Sequence, residues 1–309
     1  MVLGRKERRK KKRTWLKVTL SIIAVLIIAV AATGIYAANK AKSTVNTMQK
    51  DTVAIDKKQS ETKVKDKEKL NILLLGVDER EDDAGRSDAL MVMSLDPAND
   101  SMKLISIPRD TRTEIVGHGT TDKINHAYAF GGVDMTIDTV ENFLGTDMDY
   151  FAEMNMEGLS DFVDAVGGIT VNNQLDWIDE GYYKKGYHYA QGEIQLDGPQ
   201  AMGYVRMRHL DPDGDFGRNA RQRQVIQAVI DKGASINSVS KIDDILSALG
   251  DNVQTNMDFS TMTDLFKNYR NVRQNSENYQ MQGSGTTIDG IYYYEIAQDE
   301  IDKVHDMIS

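Results

Sequence analysis

At Leu70 the chain changes from a polar stretch to short apolar runs. Asn71-Ile72-Leu73-Leu74-Leu75-Gly76-Val77 is nearly continuous in apolar residues, and its length and content predict a buried strand. Ala89 to Leu95 and Met102 to Ile107 predict two more. The turn signal Asp96-Pro97-Ala98-Asn99-Asp100 between them makes the pair a hairpin. Beyond Pro108 the apolar period lengthens. Val133, Ile137, Val140, Phe143 and Leu144 form a helical stripe that stops at Gly145, and Met156 to Val166 forms another that stops at Gly167-Gly168. Ile169-Thr170-Val171 predicts a short strand. Residues 174–196, with Trp177, Tyr182, Tyr183, Tyr187 and Tyr189 among glycines, read as a long loop or ribbon. Asp197-Gly198-Pro199 opens a helix with proline in its first turn, and Gly217 to Ala234 predicts a long helix. Residues 241–309 predict helices near 241–249, 260–269 and 298–308 and a strand at Ile291 to Tyr294. Strands and helices alternate, so the fold class is α/β.

Upstream the pattern is of another kind. Val18 to Ala38 is 21 residues without a charge. As a helix it would span about 30 Å, the thickness of a bilayer core. Arg5-Lys6-Glu7-Arg8-Arg9-Lys10-Lys11-Lys12-Arg13 precedes it, and the positive-inside rule keeps that end in the cytoplasm. A cleaved signal peptide is the rival reading, since Ala37-Ala38 is small; the apolar stretch is long for one. The expected organisation is a basic cytoplasmic tail (1–17), a transmembrane helix (18–38), a polar stalk (39–69), a catalytic domain (70–235) and a C-terminal helical extension packed on or continuous with that domain (236–309). The protein would be a single-pass type II protein of the cell membrane with its domain outside.

Charge sharpens the picture. Residues 1–38 hold nine Lys or Arg against one Glu, and the remainder holds 28 basic and 46 acidic residues. A nucleic-acid binder needs the opposite sign on its folded part, so nucleic acid is excluded as a partner. Cysteine is absent, which removes disulfides, thiolate metal sites and a Cys nucleophile. Against the acidic background the arginines cluster. Arg80, Arg86, Arg109 and Arg112 lie in one window; Arg206, Arg208, Arg218, Arg221 and Arg223 lie in a second. Guanidinium groups bind phosphate oxygens through paired hydrogen bonds, so the pattern points to a multiply charged anion. Arg206 and Arg208 alternate with Val205 and Met207, as in an extended exit from a helix, while Arg218 and Gln222 share a helix face. Asp78 and Asp88 flank a turn and could share one hard cation, Mg²⁺ or Mn²⁺ rather than zinc. The competing reading is an Asp–Arg surface network. No Walker loop, no G-x-G-x-x-G, no H-E-x-x-H and no G-x-S-x-G occurs.

The ordered series Leu74-Leu75-Gly76-Val77-Asp78, Arg86-Ser87-Asp88, Ser106-Ile107-Pro108-Arg109-Asp110, Lys123-Ile124-Asn125-His126-Ala127-Tyr128, Val166-Gly167-Gly168-Ile169, Tyr204-Val205-Arg206-Met207-Arg208 and Asp215-Phe216-Gly217-Arg218-Asn219-Ala220-Arg221-Gln222-Arg223 resembles the LytR-CpsA-Psr family of the Gram-positive envelope over residues 70 to 233. The resemblance implies an α/β/α sandwich around a central mixed sheet. It also implies a phosphotransferase that moves an anionic glycopolymer, teichoic acid or capsular polysaccharide, from an undecaprenyl-pyrophosphate carrier to N-acetylmuramic acid of peptidoglycan. On that resemblance Asp78 and Asp88 hold Mg²⁺. Arg86, Arg109, Arg206, Arg208 and Arg218 bind and activate the pyrophosphate, with Asp88 beside them. Arg112, Lys123, Asp215, Arg221 and Gln222 complete the substrate pocket. The same site would also serve a polyprenyl-pyrophosphate hydrolase or a non-catalytic membrane-anchored sensor.

Overall fold

The structure, a computed structural model, describes residues 42–77, 85–234, 245 and 249–309. The apolar segment 18–38, the basic run before it, Asp78, Arg80 and nearly all of the helix expected at 241–249 lie outside the described residues. Among the described residues no helix is long and apolar enough to cross a membrane.

The elements in chain order are α1 (Lys57–Asp66), β1 (Leu70–Val77), β2 (Ser87–Asp96), β3 (Ser101–Ser106), β4 (Arg112–Ile115), β5 (Thr120–Lys123), α2 (His126–Leu144), β6 (Tyr150–Asn155), α3 (Met156–Ala165), β7 (Ile169–Asn173), β8 (Trp177–Ile178), β9 (His188–Tyr189), β10 (Gly192–Leu196), α4 (Gly198–Arg206), α5 (Asp215–Ala234), β11 (Val253–Thr255), α6 (Phe259–Asn268), β12 (Asn275–Gln280), β13 (Ser284–Ile288), β14 (Ile291–Glu295) and α7 (Gln298–Ile308). Six strands form the central sheet in the order β11-β6-β1-β2-β3-β12. It is mixed: β1 runs antiparallel to β2 and parallel to β6, and β12 runs parallel to β3.

The period-two alternation of the strands sorts their side chains to two faces. Leu73, Leu75, Val77, Leu90, Val92, Ile105 and Ile107 pack against Val133, Ile137 and Val140 of α2 and Val304 and Ile308 of α7. Ile72, Leu95, Met102 and Tyr150 face the other way, onto Val64 of α1 and the segment Met257–Val272 that carries α6. Helices thus cover both faces. Ile137 and Val140 are fully buried, and truncating either to alanine would cost ~2–4 kcal/mol. A further core under α3, α4 and α5 holds Trp177, Tyr189 and Tyr204 in a stack, so the aromatic ribbon at 174–196 is a packed lid on that core.

Two expectations change. The polar stalk is part of the folded body from residue 42: Val45, Met48, Ile55 and Val64 are buried, Lys50 N–H donates to Thr255 O at 2.9 Å, and Lys63 pairs with Asp149 at 2.6 Å. Its few apolar residues are spaced to dock one by one, which an average polarity conceals. The C-terminal region is continuous with the domain and carries the helices α6 and α7, but it is not helical alone. It supplies both edge strands of the central sheet, β11 and β12, so the domain closes only when its last sixty residues arrive.

Candidate functional site

The hairpin of β2 and β3 brings the two ends of the first arginine window together. Met91 lies opposite Ser106, and Ile107 N–H donates to Leu90 O at 2.9 Å. The start of β2, with Asp88, therefore lies beside the exit of β3, with Arg109. Arg109 Nη1 donates to Asp88 Oδ1 at 2.5 Å. The exit continues into β4 and β5, whose pairing sets Arg112 opposite Lys123, and Lys123 Nζ donates back to Asp110 Oδ1 at 2.7 Å.

The second window arrives on the loop after α4 and the first turns of α5. Arg218 Nη2 donates to Asp215 Oδ2 at 3.0 Å, and Arg208 Nη1 lies 3.8 Å from Asp215 Oδ1. Asp215 also joins the two windows, since its Oδ2 lies 3.5 Å from Arg109 Nε. Four cations (Arg109, Lys123, Arg208, Arg218) thus face three carboxylates (Asp88, Asp110, Asp215) at the positive end of the α5 dipole. Burial alone would lower the Arg109 pKa, but Asp88, Asp215 and Asp110 outweigh it and hold the group above its ordinary value. For Arg218 burial prevails over Asp215 and the pKa falls below the ordinary value. Four buried polar atoms of the cluster have no hydrogen-bond partner among the described residues: Arg109 Nε, Asp215 Oδ1, Arg218 Nε and Gln222 Oε1. Buried polar atoms without hydrogen bonds, gathered in one place, mark the cluster as the candidate site.

The other expected residues fall out as follows. Arg86 is exposed just before β2, two residues from Asp88, and Arg206 is half-buried at the last position of α4. The helix runs to Arg206 itself, and the extended conformation begins only at Met207. Arg112 stands at the edge, 4.0 Å from Glu295 and 5.9 Å from the centre of the Tyr293 ring. Gln222 lies one turn beyond Arg218, buried. Asp78 is outside the described residues. Arg221 departs from its expected place in the substrate pocket. It is 6% exposed; its Nε donates to Tyr204 O at 3.0 Å, its other nitrogens to Asp211 and Met207 O, and it packs by Trp177. Gly217 makes room for this clamp, because a Cβ there would collide with the Asp211 carboxylate. Arg223 is likewise structural: Nη1 donates to Ser106 Oγ at 2.7 Å and to Gln280 Oε1 at 3.1 Å, fastening α5 to the exit of β3.

Sequence reasoning missed the C-terminal wall of the site. Tyr294 N–H donates to Asp110 O at 2.9 Å, and the Tyr294 ring lies 5.3 Å from the Phe216 ring. The run Ile291-Tyr292-Tyr293-Tyr294 was legible as a strand; that it docks on Asp110 was not. As to a metal, the carboxylates of the cluster offer oxygen donors only, the chemistry of a hard divalent ion. Among the described residues no group of three or more acidic, His or Cys side chains is placed to hold one. Asp78, the other expected ligand, lies outside the described residues.

A family model described as the LytR_cpsA_psr family matches residues 33–308. The polyisoprenyl-teichoic acid--peptidoglycan teichoic acid transferase TagU of Bacillus subtilis (strain 168) is 44% identical over 300 residues, 97% of this chain and 96% of that protein. The crystal structure of B. subtilis TagU superposes with a TM-score of 0.62 at 42% identity, covering 78% of this chain and 95% of that one. A structure of TagT bound to LIIa-WTA superposes with a TM-score of 0.69 at 32% identity, covering 78% and 90%.

Proposed function

The chain belongs to the LytR-CpsA-Psr family, and from that premise we propose that it is a transferase that moves an anionic glycopolymer, wall teichoic acid first among the candidates, from an undecaprenyl-pyrophosphate carrier to the C6 hydroxyl of N-acetylmuramic acid in peptidoglycan. The observation that carries the reading is the pairing of Arg109, Arg208 and Arg218 around Asp215, with buried N–H groups left unsatisfied between them.

The chemistry follows from charge. A pyrophosphate diester carries about two negative charges, which repel a nucleophile. Without a ligand the arginines neutralise themselves on Asp88, Asp110 and Asp215. With one they re-pair with phosphate oxygens, which accept two parallel hydrogen bonds from a guanidinium. The positive end of α5 adds to the same potential. The sugar hydroxyl attacks the phosphorus that carries the glycopolymer, the bond to the bridging oxygen breaks, and the lipid phosphate leaves. The hydroxyl proton passes to a carboxylate of the cluster, and the arginines stabilise the charge on the departing phosphate. Asp88 with Asp78 would hold Mg²⁺, which supplies further neutralisation of the pyrophosphate. The apolar segment 18–38 would anchor the enzyme on the surface where its lipid substrate lies.

The experiment is attachment of polymer in a strain that depends on this protein alone. Arg109→Ala and Asp88→Ala should each abolish wall-linked polymer while the protein stays at normal abundance. Intact attachment in both variants would refute a catalytic role for the cluster.

A further inference from the structure

The hairpin β13–β14 stands apart from the central sheet as a two-stranded sheet of its own. Its outward contacts run to the anion site. Besides the Tyr294 N–H to Asp110 O bond, a bridge joins Tyr294 to Thr111, and the Tyr294 ring leans on Phe216, the neighbour of Asp215 in the first turn of α5. On the opposite strand face Tyr293 and Glu295 meet Arg112. The hairpin is therefore fixed to both arginine windows at once.

Tyr292 is left over from this fastening. Tyr294 is buried, but Tyr292 is 47% exposed, and its neighbour Ile291 is 50% exposed. The facing strand carries Gly285, and the Tyr292 ring lies across it: a Cβ at Gly285 would come within 2.8 Å of Tyr292 Cε2. One side of the ring is thus supported on backbone while much of the rest meets solvent. Lys123 Nζ stands 6.0 Å from the ring centre, at the outer limit of a cation–π contact, and the same ammonium donates to Asp110 next to Arg109. An exposed, backbone-supported aromatic ring with a cation set off from it suits one kind of ligand. A pyranose has an apolar face of C–H groups and a rim of hydroxyls; the face stacks on an aromatic ring and flanking polar groups fix its orientation.

We propose that Tyr292, held flat by Gly285, is a stacking platform for a sugar ring adjoining the reacting phosphate, with Lys123 donating to that sugar's hydroxyls. The inference rests on the transferase reading above. Two sources share this chemistry: the first sugar of the lipid-borne donor, and the glycan of the acceptor.

The test is steady-state transfer by the full-length protein in detergent, titrating in turn a polyprenyl-pyrophosphate-linked disaccharide and a peptidoglycan oligosaccharide. Tyr292→Ala should raise KM for one of the two about tenfold with kcat changed less than about threefold, and Tyr292→Phe should restore KM. The substrate whose KM moves identifies the source. Inhibition by sugar-free polyprenyl pyrophosphate should be unaffected; a parallel loss there would show that the ring meets lipid or phosphate, and would overturn the proposal. Unchanged KM for both substrates would overturn it too, as would a fall in kcat alone. Gly285→Val, which displaces the ring while keeping the tyrosine, guards against a folding defect in Tyr292→Ala and should raise the same KM. Arg109→Ala separates this idea from the one beneath it: full transfer by that variant would sink the transferase reading whatever Tyr292 does.

Discussion

Arg218 and Arg221 sit three residues apart on one helix and have unlike tasks. Arg218 reaches Asp215 in the cluster, whereas Arg221 is spent on Asp211 and two backbone carbonyls. Arg221→Ala would leave the Asp211 carboxylate enclosed without its cation, at a cost of about 3–5 kcal/mol. Its thermal midpoint should fall by many degrees. Arg218→Ala should melt close to the wild type but lose ~10²–10³ in kcat/KM, the size of effect expected when one group facing developing charge is removed. Melting curves and transfer rates on the same two preparations check both. The sequence made the cluster legible as a density of arginines but could not divide it. Both residues read as arginines at a helix start, and what separates them is Asp211, brought in from the preceding loop beneath Gly217.

The elements that were legible are those whose pattern is local. β1, β2 and β3 announce themselves as apolar runs around a turn, and α4 by its Asp197 cap and proline. β6 and β12 were not legible. β12 reads Asn-Ser-Glu-Asn-Tyr-Gln and is an edge strand exposed along most of its length, so no apolar period marks it; its place is set by parallel pairing with β3 across more than a hundred residues. α2 was read from Val133 but begins at His126, because Gly131 and Gly132 break the helix. Gly132 has φ +66° and ψ −150°, a conformation open essentially to glycine alone. The same helix carries a pH-sensitive group. Burial raises the Glu141 carboxyl to about 7, despite the Met148 N–H that donates to it at 2.7 Å. The folded state therefore holds this proton more tightly than the unfolded chain does. Its contribution to stability is complete below the unfolded value of 4.5 and is lost as pH rises through about 7. Glu141→Gln should remove that loss. Relative to wild type it should gain about 1–2 kcal/mol, discounted for the group's partial exposure, on going from about pH 4 to about pH 8. Urea midpoints across that range measure it; parallel curves for the two proteins would contradict the assignment.

At the scale of the molecule, the closing strands come last. β11 and β12 hold the two edges of the sheet, and Arg223 needs Gln280 of β12 to fasten α5 beside Ser106. A chain ending at Ala234 keeps every motif of the arginine windows yet should not fold: near-ultraviolet circular dichroism should lack the native aromatic signal, and a cooperative melt with wild-type signal would contradict this. Composition pointed to an anion site on an acidic body, and the ordered motifs to the residues expected to line it; the fold's dependence on the C-terminal region was invisible because polar edge strands leave little trace in hydropathy. The central claim is transfer at the arginine cluster. It is tested most directly by incubating the full-length protein with Mg²⁺, a polyprenyl-pyrophosphate-linked teichoic acid and peptidoglycan oligosaccharide, and weighing the products by mass spectrometry. Polymer should be joined to the sugar through a phosphodiester, with one polyprenyl phosphate released per bond and none formed by Arg109→Ala. Release of polyprenyl phosphate with no joined product, or joined product made equally well by Arg109→Ala, would contradict it.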